Sequence, residues 1–364
     1  MNKESFKFAG TYISICIGSG FATGQEIMQF FSSHGIISVL SSIFCMVLMM
    51  YAGSNLFSIG KNENLKDSND VFVYLMGEKV GNFFKLCMPI LFFFSFIVMI
   101  AGSGASISEY YGISKGIGSL IMGVLTFVSV TLGMNKIINI LGNIGPIIAV
   151  FTISIGIVTI FNNIDSLHMI ESLVSEVEVK KAGYNWYLSS IMYTGLNLVL
   201  STTFLVSVGS TAKDKKSCIY GGIIGGAVFM MSALILNIAI MSDIGNLYDK
   251  QIPTLFMAKN ISSVIGMIFS VILIAGIYTT ATPLLWSFSS SFYKEKSSGF
   301  VLTSFVATFM ALLVSKVSFS SLVNAIYPVS GLFGVLIISA IIIRSTESMF
   351  LKKRKRVIID RKVK

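Results

Sequence analysis

Ten stretches of this chain run for at least 18 residues without an Asp, Glu, Lys or Arg, and they cover 8–25, 27–60, 86–108, 116–135, 137–164, 182–212, 217–242, 260–293, 297–315 and 317–343. About 20 apolar residues cross a bilayer as a helix, and a helix suits the hydrocarbon because it pairs its own N–H and C=O groups where no water can. Charged residues make up 12% of the chain, against about a quarter in a soluble domain. The chain reads as an all-α, polytopic membrane protein. Glu26 splits the first two runs without separating two helices, because Ser32-Ser33-His34-Gly35 is the better turn. The count is ten transmembrane helices.

The net charge of +10 would suit nucleic acid, but its distribution argues against that partner. With ten spans and the N-terminus in the cytoplasm, only Lys115, Lys180, Lys181, Lys250, Lys259 and Lys316 fall outside; every other Lys and Arg falls inside. That asymmetry is the positive-inside rule, and it sets both termini on the cytoplasmic side of the plasma membrane. The tail Lys352-Lys353-Arg354-Lys355-Arg356 is suited to anionic lipid head groups. The domain reading is one transmembrane unit over 1–350, with a basic cytoplasmic tail over 351–364. Cys16, Cys45, Cys87 and Cys218 have no metal-like spacing and read as free thiols. The first apolar segment has no small-residue cleavage site and reads as a retained helix.

The expected spans are Phe8–Phe31, Ile36–Gly60, Phe83–Ile107, Gly116–Leu132, Ile137–Phe161, Trp186–Val208, Cys218–Met241, Ile261–Phe288, Phe300–Ser315 and Leu322–Ile343. A short interfacial helix is expected at Val71–Met76, and a short lid helix over Ile252–Ala258, with a proline near its start. The halves echo each other. Gly20 and Gly195, Ile36 and Cys218, Phe83 and Ile261, and Gly116 and Phe300 recur at nearly one spacing. An odd number of spans per half makes the repeats, about 8–161 and 186–343, inverted in the membrane.

Two spans carry interruptions at matching positions. In the first, Gly18-Ser19-Gly20-Phe21-Ala22-Thr23-Gly24 places three glycines in seven residues, each weakening a helix by roughly 1 kcal/mol against alanine. In the sixth, the weak point is Tyr193-Thr194-Gly195-Leu196-Asn197. Matched breaks of this kind point to a binding site at the bilayer midplane. Glu26, just past the glycines, is the only acidic residue inside any apolar run. A carboxylate at that depth marks a functional site by default. It reads as a proton-coupling group, as a counter-ion for a substrate ammonium, or as a carboxylate bonded to backbone or Gln25. Freed N–H groups at Gly20–Gly24 would suit a substrate carboxylate, and unwound carbonyls near Thr194–Asn197 an ammonium or cation. Phe21 and Tyr193 read as gates or as packing. Ser103, in Ala101-Gly102-Ser103-Gly104-Ala105-Ser106, stands either in a helix-packing stripe or in space left for a ligand.

These residues resemble the amino acid–polyamine–organocation superfamily. More narrowly, GSGFATGQEIMQFFSSHG is similar to the start of the YkvI-like membrane proteins, and Ala275-Gly276-Ile277-Tyr278-Thr279-Thr280 to a helix 8 pattern of the superfamily. The resemblance implies a LeuT-type fold: two inverted five-helix repeats, with the site between broken helices 1 and 6. In sodium-coupled members an ion is held by helix 1 carbonyls and an A-x-x-S/T-S/T pattern. Here that pattern reads Ala275, Tyr278 and Thr279, with Thr280 next, and Tyr278 departs from the usual hydroxyl residue.

The expected function is secondary transport of a small amino-acid-like or amine solute, coupled to H⁺ or Na⁺, with no other cofactor and no metal. The alternative is a ligand-sensing receptor subunit built on the same fold. An intramembrane enzyme is disfavoured, because the spans hold a single carboxylate and His34 and His168 lie at a turn and in a loop.

Overall fold

The computed structural model describes residues 3–63, 65, 68–133 and 138–362, without the side chains of Ser19, 138–144 and 348–362. The expected lipid contacts of Lys352–Arg356, and Lys66 and Lys136 of the charge argument, therefore lie outside the described residues and side chains. Among the described residues all regular structure is helical.

The first span is built in pieces: α1 (Lys3–Cys16), α2 (Ser19–Thr23) and α3 (Gln25–Phe30), followed by a 3-10 turn over Ser32–Ile37. Then come α4 (Ser38–Asn62), α5 (Asp70–Tyr111), α6 (Lys115–Leu132) and α7 (Ile138–Asn162). A 3-10 turn (Ile164–Met169) and α8 (Ile170–Glu176) connect to α9 (Trp186–Ser210) and α10 (Lys215–Ser242). The short α11 (Ile244–Leu247) and α12 (Pro253–Ile261) precede α13 (Ser263–Ser290), α14 (Ser298–Val314) and α15 (Phe319–Lys362). Eight of these helices are long and apolar enough to cross a bilayer. The remaining two spans are the 17-residue α14 and the sectioned first span. The expected interfacial helix at Val71–Met76 forms the start of α5, set off by a kink at Gly77, whose φ of 78° excludes most side chains.

Helix starts follow from capping side chains. Asn185 Oδ1 accepts from Leu188 N at 3.0 Å, Asp214 Oδ1 from Ser217 N at 2.8 Å and Ser297 Oγ from Phe300 N at 3.2 Å. Each such cap satisfies an N–H that the first turn leaves without a partner and is worth about 1 kcal/mol.

Helices α1, α4, α9 and α10 pack on one another, and α5, α6, α13 and α14 form a second group beside them. Helix α15 lies on α9 and α5, while α7 lies against α1, α10 and α13. The first group is drawn together by a double glycine stripe on α10. A Cβ at Gly226 would meet the Met50 backbone of α4 at 2.7 Å, and one at Gly225 would meet Tyr12 of α1 at 2.8 Å. Gly222 and Gly226 thus serve α4, while Gly221 and Gly225 serve α1. Small residues dominate such seams because lipid offers no hydrophobic drive between helices and close backbone approach must supply the attraction. Tyr12 Oη completes the contact by donating to Met49 O at 3.0 Å.

The outer faces are apolar. Leu40, Ile43 and Val47 of α4, Leu120, Val124 and Val128 of α6, and Leu302, Phe305 and Phe309 of α14 are exposed. Inside, buried hydroxyls turn back onto their own helices: Ser106 donates to Gly102 O and Thr202 to Leu198 O. All four cysteines are free.

Candidate functional site at the helix 1 break

The first span breaks twice. Regular helix stops at Cys16, and Gly18 is extended (φ −87°, ψ −175°) before α2 begins. Gly24 then takes the left-handed conformation (φ 81°, ψ −8°) between α2 and α3. An L-residue would be strained there by roughly 1–2 kcal/mol. Thr23 holds the short segment together, donating to Gly20 O at 2.8 Å, and Thr254 of α12 donates to Ala22 O at 2.5 Å.

Glu26 sits in the first turn of α3 and keeps only 6% of its surface exposed. Among the described side chains it has no hydrogen-bond or ion-pair partner. A Cβ placed on Gly20 would stand 2.9 Å from a Glu26 carboxylate oxygen and 2.7 Å from the Tyr327 hydroxyl of α15. Gly20 therefore lets an acid and a phenol converge over the break. Tyr193 approaches α3 from the α9 side. Its ring packs against Phe31 at 4.9 Å, Phe30 at 5.4 Å and Phe229 at 6.2 Å, and Phe229 in turn meets Phe21 at 5.4 Å. The Tyr193 hydroxyl is buried, and the Asn197 side chain one turn on is the polar group that interacts with it.

From α13, Thr280 reaches the same place: a Cβ on Gly18 would lie 3.3 Å from its methyl and 3.4 Å from its hydroxyl. Thr279 and Thr280 both donate to Gly276 O, at 2.8 and 3.1 Å. Tyr278 instead pairs with Ser129 of α6 at 2.6 Å, and Ala275 is half-buried. The hydroxyl that meets the break is thus one residue later than the sequence pattern suggests.

Helix 6 departs from expectation. α9 is one unbroken helix from Trp186 to Ser210. Thr194 donates to Ser190 O at 3.0 Å and Asn197 to Tyr193 O at 3.0 Å, so the polar side chains bind to the helix rather than open it. Gly195 is not a break point. A Cβ there would meet the backbone of Gly334 at 2.8 Å, so the glycine serves close approach of α9 to α15. One glycine costs a helix about 1 kcal/mol, too little to unwind a packed span. Of the expected α9 residues, Tyr193 faces the break, Thr194 faces Cys45 of α4 at 3.2 Å, and Asn197 stays 5% exposed.

Ser103 donates to Ile100 O at 2.8 Å and lies 3.5 Å from Gly118 O of α6, while Ser119 reaches Ile100 O at 3.0 Å. Its stripe lies along the α5–α6 seam. The Ser19 side chain lies outside those described. Among the described residues no group of His, Cys, Asp and Glu is arranged to hold a metal ion.

No family model matches the chain. It is 26% identical over 341 residues to the uncharacterised membrane protein YkvI of Bacillus subtilis (strain 168), covering 92% of this chain and 94% of that one. The structure of MhsT in complex with L-phenylalanine superposes with a TM-score of 0.65 at 15% identity, covering 95% of this chain and 92% of MhsT. The nucleobase-cation-symport-1 family transporter Mhp1 follows with a TM-score of 0.56 at 14% identity, over 88% of this chain and 74% of Mhp1. The chain is similar to YkvI over nearly its whole length and has the LeuT fold.

Within that LeuT fold, one end of the site is covered by the α11–α12 segment, and the contacts are polar. Glu109, at the end of α5, accepts from Gln251 N at 2.9 Å and Ile252 N at 3.0 Å. Gln25 donates to Lys250 O at 2.7 Å, and Phe319 N donates to Gln251 Oε1 at 3.1 Å. Sequence reading missed both Glu109, which lies one residue beyond an apolar run, and Tyr327, whose role depends on a distant glycine. The phenol of Tyr327 inside the last span was the available signal, since buried tyrosine hydroxyls generally seek a partner.

Proposed function

We propose that this integral membrane protein is a secondary transporter moving a small amino-acid-like or amine solute by alternating access, coupled to H⁺ or Na⁺. The observation that carries the reading is the convergence of Glu26, Tyr327, Tyr193 and Thr280 on a helix 1 break buried inside the bundle. Backbone irregularity at membrane depth is tolerated where it is enclosed in protein or lines a cavity, and intramembrane ionisable groups mark solute or ion pathways. MhsT, with the same fold, was solved with L-phenylalanine, which supports an amino-acid-like solute. The proposal keeps both termini in the cytoplasm, which puts α12 at the external face. It treats 1–350 as one transmembrane unit of two inverted repeats and gives the protein no catalytic role.

Solute counterflow in proteoliposomes tests it. Purified protein loaded with a panel of unlabelled amino acids and amines should accelerate uptake of at least one labelled counterpart. Binding without exchange would mean a receptor and would overturn transport.

A further inference from the structure

We propose that the cleft where α7, α10 and α12 end side by side is a Ca²⁺ site, with Asp243 as its one charged ligand and asparagine and threonine oxygens around it.

Three observations carry it. The first is where the helices end. A cleft of ≈ 220 Å³ is lined by Thr159, Asn162 and Asn163 at the end of α7, by Asp243 and Asn246 just past α10, and by Asn260 in the last turn of α12, beside two apolar side chains of α12. A helix C-terminus carries about half a negative charge, on carbonyls that its last turn leaves without helical partners. Three such ends and a carboxylate meet at this cleft, and among the described residues no Lys or Arg lines it. Lys259 of α12 is exposed, and a Cβ on Gly266 would meet its Cα at 3.0 Å, so the lysine lies on the α13 side.

The second is the set of donors and acceptors. Asn246 donates its amide to Asp243 Oδ1 at 2.7 Å, Asn163 donates to Thr159 O at 2.9 Å, and the Thr159 hydroxyl donates to Ile155 O at 2.9 Å. Each spends a donor on the protein and keeps its oxygen as an acceptor. Asp243 forms no ion pair among the described residues. Burial pushes its carboxyl above the ordinary carboxylate value, and the Asn246 amide opposes this only in part. The ligand that meets a lone carboxylate and a ring of hard oxygens is a hard cation.

The third is size. Ca²⁺ takes about six to eight oxygens from carboxylates, amides, main chain and water in flexible geometry, whereas Mg²⁺ demands a near-ideal octahedron and sheds water reluctantly. The cleft has room for an ion with several waters, each of which fills about 30 Å³ in the liquid. Donors from three separate helices, completed by water, suit the looser ion. A single carboxylate sets a weak affinity, in the range of about 10⁻⁴–10⁻³ M that serves extracellular modules. On the topology proposed above, the cleft lies at the external face. A bound ion ties the end of α12 to α7 and α10. Thr254, at the start of α12, holds Ala22 of the helix 1 break, so the ion steadies that segment from its opposite end.

The test uses the full-length protein in detergent, stripped with a chelator and returned to chelator-free buffer. Calorimetric titration with CaCl₂ should saturate at one ion per chain with a Kd of about 10⁻⁴–10⁻³ M. MgCl₂ should bind at least about tenfold more weakly, and NaCl at matched ionic strength should give no response. Saturating Ca²⁺ should raise the melting temperature and slow hydrogen exchange in peptides covering 157–163 and 243–262, with α9 unchanged. Asp243→Asn, which keeps size, should weaken Ca²⁺ by at least about tenfold, the scale of losing the one charged ligand. Asn260→Ala, an exposed position that the fold does not depend on, should weaken it several-fold at an unchanged melting temperature of the ion-free protein. No saturable Ca²⁺ binding, an equal response to Mg²⁺ or Na⁺, protection confined to other segments, or undiminished affinity in either variant would each overturn the proposal. Binding is read without counterflow, so this proposal and the transport reading fail separately.

Discussion

Replacing Glu109 by alanine should loosen the α11–α12 segment while leaving the bundle intact. The carboxylate accepts two backbone N–H groups, from Gln251 and Ile252, at 2.9 and 3.0 Å. Hydrogen bonds to a charged group contribute about 1.5–3 kcal/mol each. Glu109 is only partly buried, so water replaces part of what is lost and the lower end of that range applies, giving a total near 2–3 kcal/mol. The remaining ties, Gln25 to Lys250 O, Thr254 to Ala22 O and Phe319 N to Gln251, stay in place. Local opening should become about 30- to 150-fold more populated. Hydrogen exchange read by mass spectrometry on peptides covering 248–262 reports that equilibrium directly. Exchange there should accelerate by that factor, with α9 and α10 unchanged, and Glu109→Gln, which keeps one acceptor oxygen, should fall between. If protection over 248–262 is unaltered in the alanine variant, the carboxylate is not a latch, and closure over the break rests on Thr254 and packing alone.

Glu26→Gln should abolish uptake in proteoliposomes, or its pH dependence, while membrane insertion and gel-filtration profile stay normal; unchanged uptake would take Glu26 out of the mechanism. If uptake responds to Na⁺, Thr280→Ala should blunt the response more than Thr279→Ala, and Tyr278→Phe should leave it intact, because only Thr280 meets the break directly. Gly195→Ala should lower the melting temperature by several degrees, since overpacking a tight seam costs about 1–3 kcal/mol, without changing the helix content seen by circular dichroism. A Gly195→Ala protein as stable as the parent would show that α9 and α15 can part without loss.

The spans were legible in the sequence because hydropathy acts residue by residue and needs no knowledge of neighbours. The first break was legible for the same reason: three glycines within about two turns weaken any helix, whatever surrounds it. Gly195 was misread because a lone glycine in a span looks the same whether it bends the chain or admits a neighbour, and Gly331 and Gly334, which decide the matter, lie far along the chain. The register of α13 slipped by one for a related reason. Tyr278, Thr279 and Thr280 all carry hydroxyls, and only Ser129 on another helix shows which of them turns away. Tyr327 and Glu109 act through partners that adjacency in sequence does not reveal.

The contrast between a twice-jointed first span and a solid α9 has a mechanical outcome. Gly18 and Gly24 divide the first span into separate rods, Lys3–Cys16 and Gln25–Phe30, with the short α2 between them. α9 offers no such joint, and its glycine seam locks it to α15. Any rearrangement around Glu26 would therefore fall on the jointed first span, with α9 and α15 held together by their glycine seam.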